Sequence, residues 1–238
     1  VVLVNGIEAW LDGEGGPVAL TTQRYAPDVV HPDGWRRLAA FTRHPWPSWS
    51  FALPGGGTIE HEVFVAPDEG ETVLRWRCVG AARPWRLHVR PLLSGRDYHA
   101  LHRENPDFDF HAVVAGGNVT WHPYASLPAV SALTNGTYAA APEWYRSFLY
   151  TQERDRGLDD VEDLAAPGIF SFALDAEAVM VLRAGDGVSV RAAAHAETLA
   201  AHERARRDAA PGPAGVAAAS YLVDRDAGRT VLAGFPWF

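Results

Sequence analysis

Lysine is absent from the 238 residues, so all 21 basic positions are arginine. Without lysine there can be no phosphate loop ending in Gly-Lys-Ser/Thr, which removes that route to nucleotide hydrolysis. Cysteine is nearly absent too. Cys78 stands alone, which rules out an intrachain disulfide and makes a reducing, cytoplasmic setting the expectation. No apolar run approaches the roughly 20 residues needed to cross a bilayer. The opening "VVLVNGIEAW" has neither a basic start nor a small-residue cleavage site, so no signal peptide is expected. No Gly-x-Ser-x-Gly nucleophile elbow occurs. "PGGGT" (54–58) precedes a strand pattern rather than a helix, so it is not a dinucleotide loop.

Acidic residues outnumber basic ones, 29 to 21, and the net charge of −8 disfavours nucleic acid and anionic membrane as partners. Nine tryptophans are present, a residue that suits core packing and stacking on sugar rings, with packing the commoner role.

Period-2 alternation dominates the chain. "TVLRWRCV" (72–79) sets Leu74, Trp76 and Cys78 opposite Arg75 and Arg77, and "WRLHVR" (85–90) sets Trp85, Leu87 and Val89 against Arg86, His88 and Arg90. "TIEHEVFV" (58–65) places Ile59, Val63 and Val65 on one face, interrupted by His61. Further strands are expected at 169–174, 178–183, 188–193, 220–225 and 230–235, with glycine- and proline-bearing turns between them. The pattern predicts an all-β fold, a large antiparallel β-sandwich of supersandwich type with one or two short helices. One helix is expected over "AETLAAHERARRDAA" (196–210), stopped by Pro211-Gly212-Pro213, and a second, short one around "WRRLAAF" (35–41). No repeat or charge step divides the chain, so residues 1–238 read as one domain. Its ends, an apolar start without methionine and a stop inside "LAGFPWF", read as those of a fragment.

Ten histidines raise the question of a metal. His99 and His102, with Asp97 and Glu104 nearby, form the closest group, but the stretch does not read as a helix and histidines in polar loops are usually hydrogen-bonded. No metal site is assigned. His99 with Glu104 is also the best pair for an epimerase-type reaction, supported by proximity alone.

The stretch "EWYRSFLYTQERDRGLDDVEDLAAPG" (143–168) is the densest constellation. Trp144, Tyr145 and Arg146 lead into Glu153, Arg154, Asp155, Arg156, Asp159, Asp160, Glu162 and Asp163. Glycoside hydrolysis requires two carboxyl groups about 5 to 9.5 Å apart, and this stretch has carboxylates to spare. Charge runs of this kind are more often solvated faces or ion-pair networks.

Several longer motifs, in order, resemble one family. "YAPDVVHPDGWRRLAAFTRHPWPSWSF" (25–51), "VRPLLSGRDYHALHREN" (89–105), "WYRSFLYTQERDRGLDDVEDLAAPGIF" (144–170) and the terminal "TVLAGFPWF" (230–238) look like the N-terminal domain of bacterial and archaeal glycogen debranching enzymes of the amylo-α-1,6-glucosidase type. The likeness runs from about residue 20 to 175, returns at the last nine residues and is weak over 184–215. It implies a β-sandwich that precedes a helical (α/α)-barrel, with the catalytic acid and base outside this chain and no cofactor. The expected partners are the chain's own C-terminal catalytic domain and an α-glucan such as glycogen or limit dextrin. Trp144, Tyr145, Arg146, Glu153, Arg154, Arg156, Asp159, Glu162 and Asp163 would lie on a long loop that docks on the barrel or touches substrate. The alternative is a stand-alone carbohydrate-binding module whose platform is built from Trp46, Trp49, Trp144 and Tyr145.

Overall fold

The structure is a computed structural model that describes residues 1–81, 84–225 and 228–232. They fall into two compact units, Val1–Ala196 and Glu197–Phe238.

The first unit is built from two sheets. In chain order, β1 (Val2–Leu11), β2 (Val18–Ala19), β3 (Gln23–Tyr25) and β4 (Val29–His31) belong to the first sheet, and β5 (Leu38–Thr42), β6 (Ser48–Ala52), β7 (Thr58–Ala66) and β8 (Glu71–Val79) to the second. β9 (Arg86–Arg96) returns to the first. β10 (Ala112–Ala115), β11 (Asn118–Trp121) and β12 (Val130–Thr134) lie in the second, β13 (Thr137–Leu149) and β14 (Val161–Ala173) in the first, and β15 (Ala178–Ala184) in the second. The seven-stranded order is β2-β1-β9-β14-β13-β3-β4 and the eight-stranded order is β10-β11-β12-β15-β8-β7-β6-β5. Neighbours pair antiparallel throughout. This is the antiparallel sandwich that the alternation predicts.

The alternating residues explain why. Leu87, Val89, Phe170 and Phe172 of one sheet meet Leu74, Trp76, Trp121, Ala132 and Met180 of the other in a single buried cluster. Removing such rows of aliphatic and aromatic surface from water is the main force holding two sheets face to face. Trp121 is fully buried, and its indole N–H donates to the Tyr138 hydroxyl (3.2 Å), which donates to the Pro167 carbonyl (2.9 Å). Gly168 makes room for that hydroxyl, since a Cβ there would stand 2.4 Å from it.

One cross-strand row is aromatic. Phe41, Trp49, His61 and Trp76 occupy paired positions on β5, β6, β7 and β8. Ring centroids are 5.3, 5.5 and 4.5 Å apart along it, and His61 lies within 7° of the Trp76 plane. His61 therefore does not interrupt the face of β7. It stacks in the row and bonds through Nδ1 to the Arg75 carbonyl at 3.0 Å. Val65, expected on that face, is exposed instead.

Residues 35–41 differ from expectation. Only Gly34–Arg37 make a 3-10 turn, and Leu38 onward is β5, because Leu38, Ala40 and Phe41 find partners in Phe51, Ser50 and Trp49. The strand expected at 188–193 is also absent. Alanines 192–194 join a helix, α1 (Ala192–Asp208), in keeping with the high helix propensity of alanine. Its first turn is fixed by His195, whose Nε2 bonds to Glu71 at the start of β8 (2.7 Å).

The second unit holds the rest of α1, then α2 (Gly212–Ala219) and a hairpin of β16 (Leu222–Arg225) and β17 (Gly228–Val231). Within it Glu203 accepts hydrogen bonds from Arg206 and Arg207. The strand expected at 230–235 is described only as far as residue 232. No helix of the described residues is long and apolar enough to cross a membrane.

Candidate functional site

The 143–168 stretch is a hairpin rather than a long loop. Its first part ends β13 and its last part opens β14, with a five-residue helix, Thr151–Asp155, at the tip. Two register shifts, between Ala140 and Glu143 and between Tyr145 and Phe148, break the period-2 signal that would have marked β13. At the second, Ser147 takes φ +68°, a left-handed conformation unusual for a residue with a Cβ.

That bulge is held by Asp163. Its carboxylate accepts the backbone N–H of Ser147 (2.9 Å) and of Glu104 (3.2 Å), so one side chain fixes both the hairpin and the 97–105 segment. Glu162, beside it, points inward and is fully buried. It accepts from Tyr150 (2.5 Å), Asn5 (3.2 Å), the His102 backbone N–H (2.9 Å) and, as an ion pair, Arg96. Burial and the adjoining carboxylate push the Tyr150 phenol well above its ordinary pKa. Four residues, from β1, β9, the 97–105 segment and the hairpin, thus converge on one carboxylate. Glu162 ties strands together rather than facing a ligand.

Trp144 and Arg146 face the 97–110 segment. Trp144 packs among His102, Phe108 and Phe110, with centroids 5.4 to 5.6 Å away. Arg146 forms a two-pronged ion pair with Glu104, both partners solvent-exposed. His102 is itself engaged, by the Asp163 carbonyl (2.9 Å) and the Tyr124 hydroxyl (2.6 Å), and burial holds its pKa below the ordinary histidine value. Among the described residues no three His, Cys, Asp or Glu side chains are placed to hold a metal ion.

The remaining charges lie apart from this network. Glu153 and Arg154 are in the tip helix, Arg156 follows it, and Asp159 is in the exposed turn before β14. The Glu153–Arg156 ion pair, 3.5 Å, is local to the tip.

Tyr145 turns to the opposite side from Trp144, onto the outer face of the seven-stranded sheet. Its hydroxyl donates to Glu8 of β1 (2.9 Å), and Arg90 of β9 donates to the same Glu8 oxygen (3.0 Å). The Arg90 guanidinium stacks between Tyr145 (5.1 Å) and Trp10 (5.3 Å). Burial raises the Glu8 carboxyl above its ordinary pKa, with Arg90 opposing. Together with residues 30–33 these side chains line a cleft of about 570 Å³. Sequence reasoning did not single out Glu8, Trp10 or Arg90. The only signal was the polar alternation of "WRLHVR".

Trp46, Trp49, Trp144 and Tyr145 do not share a platform. Trp46 is buried, with its indole N–H on Glu62 (3.2 Å), Trp49 stands in the aromatic row of the second sheet, and Trp144 and Tyr145 point to opposite sides of β13.

No curated protein matches the chain. The family model described as "Glycogen debranching enzyme N terminal" matches residues 1–181, which takes in β1 through most of β15 and both sheets of the sandwich. The match stops short of α1 and does not reach the terminal "TVLAGFPWF", whose last six residues lie outside the described ones. With three quarters of its length matched, the chain belongs to the glycogen debranching enzyme N-terminal family.

Proposed function

We propose that this chain is the accessory domain of a cytoplasmic glycogen debranching enzyme of the amylo-α-1,6-glucosidase type, acting in glycogen breakdown. It packs against the catalytic part of that enzyme and helps place α-glucan, while proton transfer is done elsewhere. The observation that carries the docking role is a run of exposed apolar side chains on one short stretch. Val29, Val30, Trp35, Leu38 and Phe41 are 53%, 44%, 55%, 46% and 48% exposed. Large apolar residues left exposed this close together in the chain, at the edges of the two sheets, fit a surface that a partner covers. Phe41 is also the outer end of the aromatic row, so the stretch is backed by rigid stacked rings.

The carboxylates support the non-catalytic part of the reading. Glu162 has its oxygens occupied inside the protein, and Asp163 holds two backbone N–H groups. Both carboxylates are engaged in holding the fold together. Arg146 with Glu104 and Glu153 with Arg156 supply a polar, ion-paired surface of the kind found around an interdomain contact.

The test is to mix the 238-residue chain with the separately produced catalytic part of the parent enzyme and run gel filtration. A 1:1 complex is expected, and Trp35→Ser with Phe41→Ser should weaken it at least tenfold. Glucose release from limit dextrin by this chain alone, lost on changing Glu153 or Asp163, would overturn the assignment.

A further inference from the structure

β1 has one closed edge and one that is open over half its length. It pairs with β9 from Val2 to Leu11. On its other side β2 is two residues long and meets only Trp10 and Leu11. Leu20 and Thr21 continue the closure at Ala9, and the Gln23 side chain reaches the Ile7 carbonyl (3.3 Å). From Gly6 back to Val2, no strand among the described residues pairs with that edge.

The two sheets are also unequal on this side, where the β1–β2 loop and the β6–β7 loop line one cleft. Past β1 the seven-stranded sheet holds only β2, whereas the eight-stranded sheet runs on from β8 through β7, β6 and β5. Cross-strand pairing puts His61, Val63 and Val65 of β7 on the same face as Trp76, Leu74 and Thr72 of β8. Trp76 and Leu74 are buried in the core. His61, Val63 and Thr72 are half-buried, and Val65 is 51% exposed. The face that forms the core thus continues onto β7 without a full cover. Between it and the open edge lies a trough of about 470 Å³, with Leu3, Val4 and Ile7 on one side and Val63, Leu74 and Leu182 on the other. Charge is confined to its rim, where Arg183 is paired with Glu71 (3.4 Å) and Asp68 and Glu69 precede Gly70 in the β7–β8 turn.

Two separate demands meet in this place. Main-chain N–H and C=O groups on an open edge call for partners at strand spacing. The trough calls for apolar side chains. A small apolar molecule would answer the second demand and leave the first. Antiparallel pairing of β1 with β1 of a second copy would run about a two-fold axis normal to the sheet. Both copies would then carry β5–β7 to the same side of the joined sheet, where the two overhangs collide. An extended segment meets both demands, because its backbone pairs along the edge while alternate side chains point to one face.

We propose that the Val2–Gly6 edge of β1 is a strand-addition site for a partner polypeptide, whose alternate apolar side chains fill the trough against Val63 and Val65. The added strand runs antiparallel to β1, as all neighbours in this sheet do, and Asp68 and Glu69 disfavour carboxylates at their end of it. The site does not depend on the debranching role proposed above.

The probe is an end-blocked peptide, Lys-Thr-Val-Thr-Val-Thr-Val-Thr-Lys, titrated calorimetrically into the 238-residue chain, with hydrogen exchange of the β1 amides followed in parallel. Saturable binding is expected, with exchange over residues 2–6 slowed at least tenfold at saturation. The same peptide with its three valines replaced by serine keeps its charge and should bind at least tenfold more weakly. Val65 is exposed, so Val65→Asp should leave the fold intact and weaken binding at least tenfold. No binding by the folded chain, or equal binding of the serine peptide, would overturn the site. Binding that leaves residues 2–6 unprotected would show apolar adhesion and overturn strand addition. A dimer of the chain alone in gel filtration, abolished by Val65→Asp, would overturn the partner assignment in favour of a second copy. None of these results bears on the complex with the catalytic part, so the accessory role stands or falls by its own test.

Discussion

Arg96 of β9 and Glu162 of β14 form an ion pair in which the carboxylate is wholly buried and the guanidinium side chain is 15% exposed. Sixty-six residues separate them in the chain. Both strands therefore have to be in place before either charge is satisfied, which makes the pair a lock on the middle of the seven-stranded sheet.

Glu162→Ala should destabilise the chain strongly. Removing one member of a buried pair leaves the other uncompensated, at a cost of about 3–5 kcal/mol. Changing both, Glu162→Ala with Arg96→Met, should recover part of that loss. Urea unfolding of the two single variants and the double variant measures the coupling. A loss under 1 kcal/mol for Glu162→Ala would show that the carboxylate does not hold the strands.

Asp163→Ala should cost about 1–3 kcal/mol, because two backbone N–H groups lose their acceptor. By contrast, Arg154→Ala and Asp159→Ala, on the exposed tip, should stay within about 0.5 kcal/mol of the parent. Thermal unfolding of the three variants separates the internal carboxylate from the surface charges. Equal effects at 159 and 163 would contradict the geometry.

Ser147→Gly should be neutral or stabilise by up to about 1 kcal/mol, since glycine adopts positive φ without a Cβ clash and keeps the N–H that Asp163 needs. Ser147→Val should destabilise, as a β-branched side chain resists this conformation. The melting temperatures should rank Gly at or above Ser, and Ser above Val.

Stability should fall on acidification through His61. Burial between Trp49 and Trp76 lowers its pKa from 6.5 to about 4, with the Arg75 carbonyl opposing. The unfolded chain therefore takes up the proton first as pH drops below 6.5, and stability is lost progressively down to about pH 4. The full loss is on the order of 3 kcal/mol. His102, shifted the same way by burial, adds to the slope. Denaturant midpoints between pH 7 and pH 4 should decline less steeply in His61→Gln, and an unchanged decline would remove His61 as a cause.

Much of the fold is legible in the amino-acid sequence. β8 and β9 are readable because Leu74 and Trp76, and Leu87 and Val89, alternate without a break, and alternation on a pleated strand is what buries one face. β13 was hidden because two bulges shift its period at the positions where aromatics meet charges. β5 reads as helix in the sequence because "WRRLAAF" has good local helix formers, and pairing with β6 outweighs that preference. Of the site, the 144–163 constellation was legible as a cluster, but its division of labour was not. Glu162 and Asp159 look alike in the sequence, three residues apart in one acidic run.

The sequence by itself determined that this is an antiparallel sandwich of the debranching-enzyme N-terminal family, since alternation and motif order are local properties of the chain. Only the tertiary structure decided which charges serve the fold and which face solvent. The burial of Glu162 depends on Asn5, 157 residues away, and on Arg96, and the Glu8–Arg90–Tyr145 cleft depends on side chains of β1, β9 and β13 reaching one another across the sheet. Desolvation and hydrogen bonding act through space, so a carboxylate acquires its role only when distant strands close around it.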